Sequence, residues 1–157
     1  MEGLSIRIAT LDDHRAVGDV FRRAALSQED DRPKLLADPE LLVFDGAPLA
    51  DGRTRVAVRS GHIIGFATLA VGHDGLELED LFVDPTWTRH GVGRALVEDA
   101  VRAARAAGLG RLAVTANVLA LAFYEAVGFV TDGYVTVPFG VAPRMHLDVS
   151  RDPGRAS

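Results

Sequence analysis

The residues with the most chemical potential lie between Glu77 and Tyr124. Glu77, Glu79 and Asp80 sit close together in a segment that reads as a β-strand. Residues two apart on a strand share a face, so Glu77 and Glu79 point the same way unless a bulge intervenes. Carboxylates so placed are solvent-facing side chains first and candidates for acid–base work second. A few residues later, Val83-Asp84-Pro85-Thr86-Trp87-Thr88-Arg89-His90-Gly91-Val92-Gly93-Arg94 leads from the end of a strand into a long helix. Backbone N–H groups at a helix N-terminus attract an anion, and glycines let a phosphate approach closely. The two glycines are not enough for a named fingerprint: the third glycine of a dinucleotide loop and the Lys-Ser/Thr of a Walker loop are both missing. Taken alone, the stretch reads equally well as a glycine-rich turn into a packed helix. Further on, Asn117 precedes a short helix, where asparagine commonly caps. Tyr124 is one of two tyrosines. It suits a core position with a bonded hydroxyl, and its phenol, with a pKa of about 10, stays protonated at neutral pH.

These residues need elements to hold them. Ile6 and Ile8 alternate with Arg7 as a short strand. Thr10 and Asp13 form a capping box that opens a helix running to about Leu26, with Val17, Val20, Phe21, Ala24 and Ala25 as its apolar stripe. From 27 to 50 the pattern is weak: an acidic loop at Gln28-Glu29-Asp30-Asp31, then a short helix after Pro33 that Asp38-Pro39 interrupts. Residues 53–59 alternate as a strand, Ser60-Gly61 makes a tight turn, and 63–71 return. A turn at 72–75 leads to a strand over 76–83, which completes an antiparallel meander. The spacing of Val92, Ala95, Leu96, Ala100, Ala103, Ala104 and Ala107 predicts a helix over 92–107, ended by Gly108 and Gly110. A strand over 111–116 follows, and strand–helix–strand implies a parallel crossover. A short helix over 119–127, strands over 129–137 and 144–149, and a frayed tail over 151–157 complete the chain. The order β-α-α-β-β-β-α-β-α-β-β predicts an α/β domain with a mixed sheet.

Composition bounds the function. A chain of 157 residues, 48% hydrophobic and 25% charged, matches one globular domain. A net charge of −5 argues against nucleic acid or an anionic membrane as the main partner. Without cysteine there is no disulfide, no thiolate metal ligand and no thioester on the protein. The five histidines show no metal-ligand spacing. No apolar run approaches the roughly 18–20 residues of a membrane span, and the N-terminus lacks a signal-peptide core, so a cytoplasmic location is expected.

The segment around Gly91 resembles the acetyl-CoA pyrophosphate loop of the GNAT superfamily of N-acetyltransferases, whose pattern is Arg/Gln-x-x-Gly-x-Gly/Ala. Leu81-Phe82-Val83-Asp84-Pro85 supplies the strand that enters the loop, and Gly91 and Gly93 supply the glycines. The Arg/Gln position falls on Thr88, which leaves Arg89 or Arg94 to supplement the backbone. Asn117-Val118-Leu119-Ala120-Leu121-Ala122-Phe123-Tyr124-Glu125-Ala126-Val127-Gly128-Phe129 resembles the family's later motif, Asn-x-x-Ala-x-x-Phe-Tyr-x-x-x-Gly-Phe, at the expected distance. The resemblance covers about residues 4–150. It implies a mixed sheet of about seven strands, with an antiparallel N-terminal half and parallel fourth and fifth strands, flanked by about four helices.

The resemblance also implies roles. The backbone of Leu81, Phe82 and Val83 would bond the pantetheine arm and polarise the thioester. Thr88, Arg89, His90, Gly91, Val92, Gly93 and Arg94 would surround the pyrophosphate, with His90 acting through its backbone and Trp87 packing before the loop. Asn117 would touch the pantetheine. Tyr124 would hydrogen-bond or protonate the departing thiolate, whose conjugate thiol has the lower pKa, about 8.5. Glu79, with Glu77 second, would be the general base for the amine. The acidic loop at 28–31 would border the acceptor. The implied activity is transfer of an acetyl group from acetyl-CoA to a primary amine, on a small molecule or a peptide, in a ternary complex and without metal. A homodimer is common in the family. The alternative is a catalytically silent acyl-CoA-binding module.

Overall fold

A computed structural model describes residues 3–28, 31–73, 75–138 and 140–150. Seven strands, β1 (Leu4–Ile8), β2 (Thr54–Arg59), β3 (His62–Gly72), β4 (Gly75–Val83), β5 (Arg111–Thr115), β6 (Val130–Val137) and β7 (Gly140–Asp148), form one sheet in the order β1-β2-β3-β4-β5-β7-β6. β4 (Gly75–Val83) and β5 (Arg111–Thr115) run parallel. The pairs β1–β2, β2–β3, β5–β7 and β6–β7 are antiparallel. The sheet is thus mixed, with parallel fourth and fifth strands, as expected. By contacts the chain divides into two compact units, and β3, β4 and helix α4 each run from one into the other.

The first unit holds β1 (Leu4–Ile8), α1 (His14–Leu26), α2 (Arg32–Ala37), α3 (Ala47–Ala50), β2 (Thr54–Arg59), most of β3 (His62–Gly72), the end of β4 and the first turn of α4 (Val92–Ala106). The capping box forms: Thr10 N–H donates to Asp13 Oδ2 at 2.9 Å. Arg7 grips the same carboxylate through two bonds of 2.8 and 2.9 Å and, with the Thr10 N–H, holds it below the usual carboxylate range, although burial opposes this. Val17 and Val20 of α1 are fully buried in a cluster with Ala9, Phe44, Leu49, Val56 and Phe66. Phe21, Phe82, Phe66 and Phe44 close a circuit of ring contacts at 5.1–5.7 Å, within the favoured range for aromatic pairs. This circuit fixes α1 on the end of β4. Ser60 and Gly61 both have positive φ, +51° and +78°, as the tight hairpin turn requires. The weak stretch after residue 37 contains a 3₁₀ turn over Pro39–Leu42 and the short α3, neither visible in the hydrophobic pattern.

In the second unit the parallel ladder pairs Leu76 with Leu112 and ends at Leu78 with Val114. β7 (Gly140–Asp148) lies next to β5, and β6 (Val130–Val137) forms the edge. Leu76, Leu78, Leu112, Val114 and Met145 are buried. Gly75, with φ +138°, is obligatory: a Cβ there would lie 2.3 Å from the Arg111 carbonyl oxygen.

Several boundaries differ from expectation, and the helix expected to open at Thr10 is a 3₁₀ turn over Leu11–Asp13 followed by α1. Helix α4 ends at Ala106 rather than 107. The helix expected over 119–127 is a 3₁₀ turn, Val118–Ala120, followed by α5 (Leu121–Ala126). β7 begins at Gly140, four residues before the expected start at Arg144, because Pro143 does not break it. Proline lacks only the donor, and the Pro143 carbonyl still accepts the Ala116 N–H at 2.9 Å. Glu29 and Asp30 of the expected acidic loop, and the expected tail 151–157, lie outside the described residues.

Candidate active site

In the first unit, β4 delivers the chain to Asp84, which is buried and heavily bonded. Its N–H donates to the Ile64 carbonyl at 2.8 Å. Its Oδ1 accepts the Thr86 N–H at 3.0 Å, and its Oδ2 accepts two bonds from Arg23 at 3.0 and 2.7 Å. Burial alone would push this carboxyl up; the Thr86 N–H and the Arg23 guanidinium together outweigh it and hold the pKa below the usual range. The carboxylate caps a 3₁₀ turn over Pro85–Trp87.

The loop then turns sharply. Thr88 is extended (φ −64°, ψ 148°) and Arg89 is left-handed (φ +65°), the backbone of a type II turn over residues 87–90. Glycine is the usual residue where Arg89 stands. Thr88 Oγ1 donates to the Pro85 carbonyl at 3.1 Å, which ties its hydroxyl to the loop itself. His90 Nδ1–H donates to the Thr88 carbonyl at 2.8 Å. Gly91 is left-handed (φ +82°) with open space where a Cβ would stand. From Val92 the chain is helical, and the N–H groups of the first turn have no intrahelical acceptor. Among the described residues, Arg89 and Arg94 have neither an ion-pair nor a hydrogen-bond partner. The segment therefore combines unsatisfied N–H donors, an open glycine and two unpaired guanidinium groups, which together suit an anion.

Two residues that sequence reasoning missed hold this loop. Gly65 on β3 lets the end of β4 and the first turn of α4 come close: a Cβ there would lie 3.0 Å from Val92 Cγ1, 3.1 Å from the Phe82 carbonyl oxygen and 3.3 Å from Leu96 Cδ1. Arg59, the last residue of β2, lies over the Trp87 ring at 4.6 Å. A cavity of about 440 Å³ opens beside this contact, lined in part by Arg23, Arg59, His62, Asp84 and Trp87. An isolated glycine in a strand hints at close approach; nothing local pairs Arg59 with a ring 28 residues later.

Along β4, Leu76 and Leu78 are buried, Glu77 is half-buried and Glu79 is exposed, as strand alternation requires. β4 runs on past its ladder with β5 through the half-buried Leu81, Phe82 and Val83. In the second unit, Arg144 of β7 clasps Glu77 with two bonds of 2.5 and 2.6 Å and also donates to Thr115 Oγ1 at 3.2 Å. Asn117 caps the 3₁₀ turn: its Oδ1 accepts the Leu119 N–H at 2.9 Å. Tyr124 is buried, with its ring 5.2 Å from Phe123 and 5.3 Å from Phe129. No cluster of metal-ligating side chains occurs among the described residues. Among them, too, no helix is long and apolar enough to cross a membrane.

A model of the acetyltransferase (GNAT) family matches residues 21–129, well over half of the sequence. The chain belongs to this family. The glucosamine 6-phosphate N-acetyltransferase of Trypanosoma brucei brucei is 31% identical over 110 residues, which cover 58% of this GNAT chain and 72% of that relative. The PaiA N-acetyltransferase of Thermoplasma acidophilum, solved in complex with coenzyme A, superposes with a TM-score of 0.73 at 17% identity, over 92% of this chain and 98% of that one. The ribosomal-protein-S18-alanine N-acetyltransferase of Escherichia coli gives a TM-score of 0.67 at 22% identity, over 98% and 99%. At these identities the two structures speak for the fold, and the fold is that of a GNAT enzyme.

Proposed function

We propose that this GNAT enzyme transfers the acetyl group of acetyl-CoA to a primary amine by direct attack, with both substrates bound to one domain spanning residues 4–150. The observation that carries the reading is the loop from Asp84 to Gly93. Its left-handed Arg89 and Gly91 and the open N-terminus of α4 form a seat for the pyrophosphate, supplemented by the unpaired Arg89 and Arg94. Beyond Leu78 the ladder of β4 with β5 has ended, so the backbone of Leu81, Phe82 and Val83 is the candidate partner for the pantetheine and the thioester carbonyl. Asn117 keeps its amide donors for the same arm, since its capping bond uses only Oδ1.

The chemistry follows from these assignments. The amine nitrogen attacks the thioester carbon, and the C–S bond breaks. The amine proton passes to the Glu79 carboxylate, directly or through water, and the Tyr124 hydroxyl donates to the leaving sulfur. Glu79 is taken as the base, with Glu77, whose two oxygens accept from Arg144, second. Holding donor and amine together supplies much of the acceleration. The acceptor is an amine on a small molecule or a peptide; the relative named for glucosamine 6-phosphate supports a small-molecule acceptor.

One observation favours a second reading. Thr88, at the family's Arg/Gln position, is bonded to the loop itself, as a silent acyl-CoA-binding module would tolerate. Thiol release from acetyl-CoA separates the two, measured against glucosamine 6-phosphate, polyamines, amino acids, aminoglycosides and peptides with a free N-terminus. Release that depends on one class of amine supports transfer. Binding of acetyl-CoA without release to any amine supports the silent module.

A further inference from the structure

We propose that Arg59 is a positioning residue for acetyl-CoA: from the β2–β3 hairpin it locks the 87–90 turn, and that lock holds Arg89 in its left-handed conformation. The proposal rests on the reading of the Asp84 to Gly93 loop as the pyrophosphate seat. A non-glycine residue with positive φ is strained and persists only where its surroundings over-determine it. Ser60 shares this trait in a two-residue hairpin, where the turn type imposes it. Arg89 stands where glycine would remove the strain, yet the position carries a guanidinium with no partner among the described residues. Strain kept at such a position fits a side chain needed for a ligand.

The restraints on the turn are visible. Trp87 and His90, its first and last residues, meet edge to face with ring centroids 5.3 Å apart. His90 Nδ1–H closes the turn onto the Thr88 carbonyl at 2.8 Å, and Thr88 Oγ1 ties it back to Pro85 at 3.1 Å. These three contacts are internal to the loop and would move with it. The Arg59 guanidinium, 4.6 Å from the Trp87 ring centroid, holds the ring from outside the loop, while the Trp87 N–H ties its backbone to the Asp84 carbonyl at 2.7 Å. Arg59 itself is anchored, since β2 pairs it with Leu4 of β1 and with His62 of β3. It has no acidic partner among the described residues, so the indole is its contact. A cation held over an indole by two neighbouring strands fixes the Trp87 ring, and Trp87 fixes His90.

The test compares Arg59→Met, which keeps the length of the side chain and removes the charge, with Arg59→Lys, which keeps a cation. Trp87 is the sole tryptophan, so its emission reports the stack directly. Arg59→Met should shift that emission and raise KM for acetyl-CoA about three- to fivefold, the scale of an exposed cation–π contact, with kcat within about twofold. Arg59→Lys should recover most of the KM. In an Arg89→Gly background, where no strain needs holding, Arg59→Met should raise KM by less than about twofold over Arg89→Gly alone. An unchanged KM in Arg59→Met with a shifted Trp87 emission overturns the proposal. So does an equal penalty in both backgrounds. Gly93→Val keeps the two readings apart: if it weakens acetyl-CoA binding and Arg59→Met does not, the seat stands and the lock falls; if it leaves binding unchanged, the seat itself falls.

Discussion

Replacing Gly65 by alanine adds one methyl group where β3, the end of β4 and the first turn of α4 converge. The added Cβ would stand 3.0 Å from Val92 Cγ1 and 3.1 Å from the Phe82 carbonyl oxygen. The valine can turn, but the carbonyl is backbone, so β4 or α4 must shift by a few tenths of an ångström. Overpacking of this kind costs about 1–3 kcal/mol. Gly65 is not left-handed, so alanine is free of backbone strain there and regains about 0.5–1 kcal/mol of strand entropy. The net loss is about 0–2.5 kcal/mol, or up to about 10 °C in Tm for a chain of this length. Val92 opens α4 directly after the loop, so the same shift should raise KM for acetyl-CoA while kcat changes less. Thermal melting and steady-state kinetics on Gly65→Ala measure both. A variant that melts at or above wild type with the same KM would refute the close approach and the argument built on it.

Tyr124→Phe should fold normally and lose up to about 10²-fold in kcat with little change in acetyl-CoA affinity, measured by single-turnover kinetics beside calorimetry. Glu79→Gln should lower kcat/KM at neutral pH and recover partly at higher pH, where more free amine is present; Glu77→Gln should leave the shape of the pH–rate profile unchanged. Asp84→Asn should be less stable than wild type at pH 7. Its folded carboxyl pKa is depressed, so the stability it contributes is present above the unfolded value of about 3.9 and is lost as pH falls through the folded one. Denaturant melts should therefore show the gap between the two proteins closing below about pH 4.

Local patterns carried the regular elements: alternation marked β2 and β4, the apolar stripe marked α1 and α4, and the Gly91 and Tyr124 motifs pointed to the family. Pattern was less informative where tertiary context decides. α3 is four residues long, too short for helical periodicity to register. Pro143 masked the start of β7 because a proline breaks a ladder only where its N–H is needed. In the site, the roles of single residues depended on partners far away in sequence. Glu77 and Glu79 are indistinguishable on one strand face until Arg144, 67 residues later, closes on Glu77. Asn117 could be read as a cap from its own neighbours, and it is one. Gly65 and Arg59 carried no motif, because each acts through contacts made only when the sheet is assembled.

The central claim is that the loop from Asp84 to Gly93 seats the pyrophosphate of acetyl-CoA. Calorimetric titration of acetyl-CoA into wild type and into a folded Gly93→Val variant tests it most directly, because the variant adds bulk to the first turn of α4 without removing any charge. Saturable binding to wild type, weakened at least tenfold in the variant, is the result this account predicts. Equal affinity in the two proteins, or no binding to wild type, would contradict it.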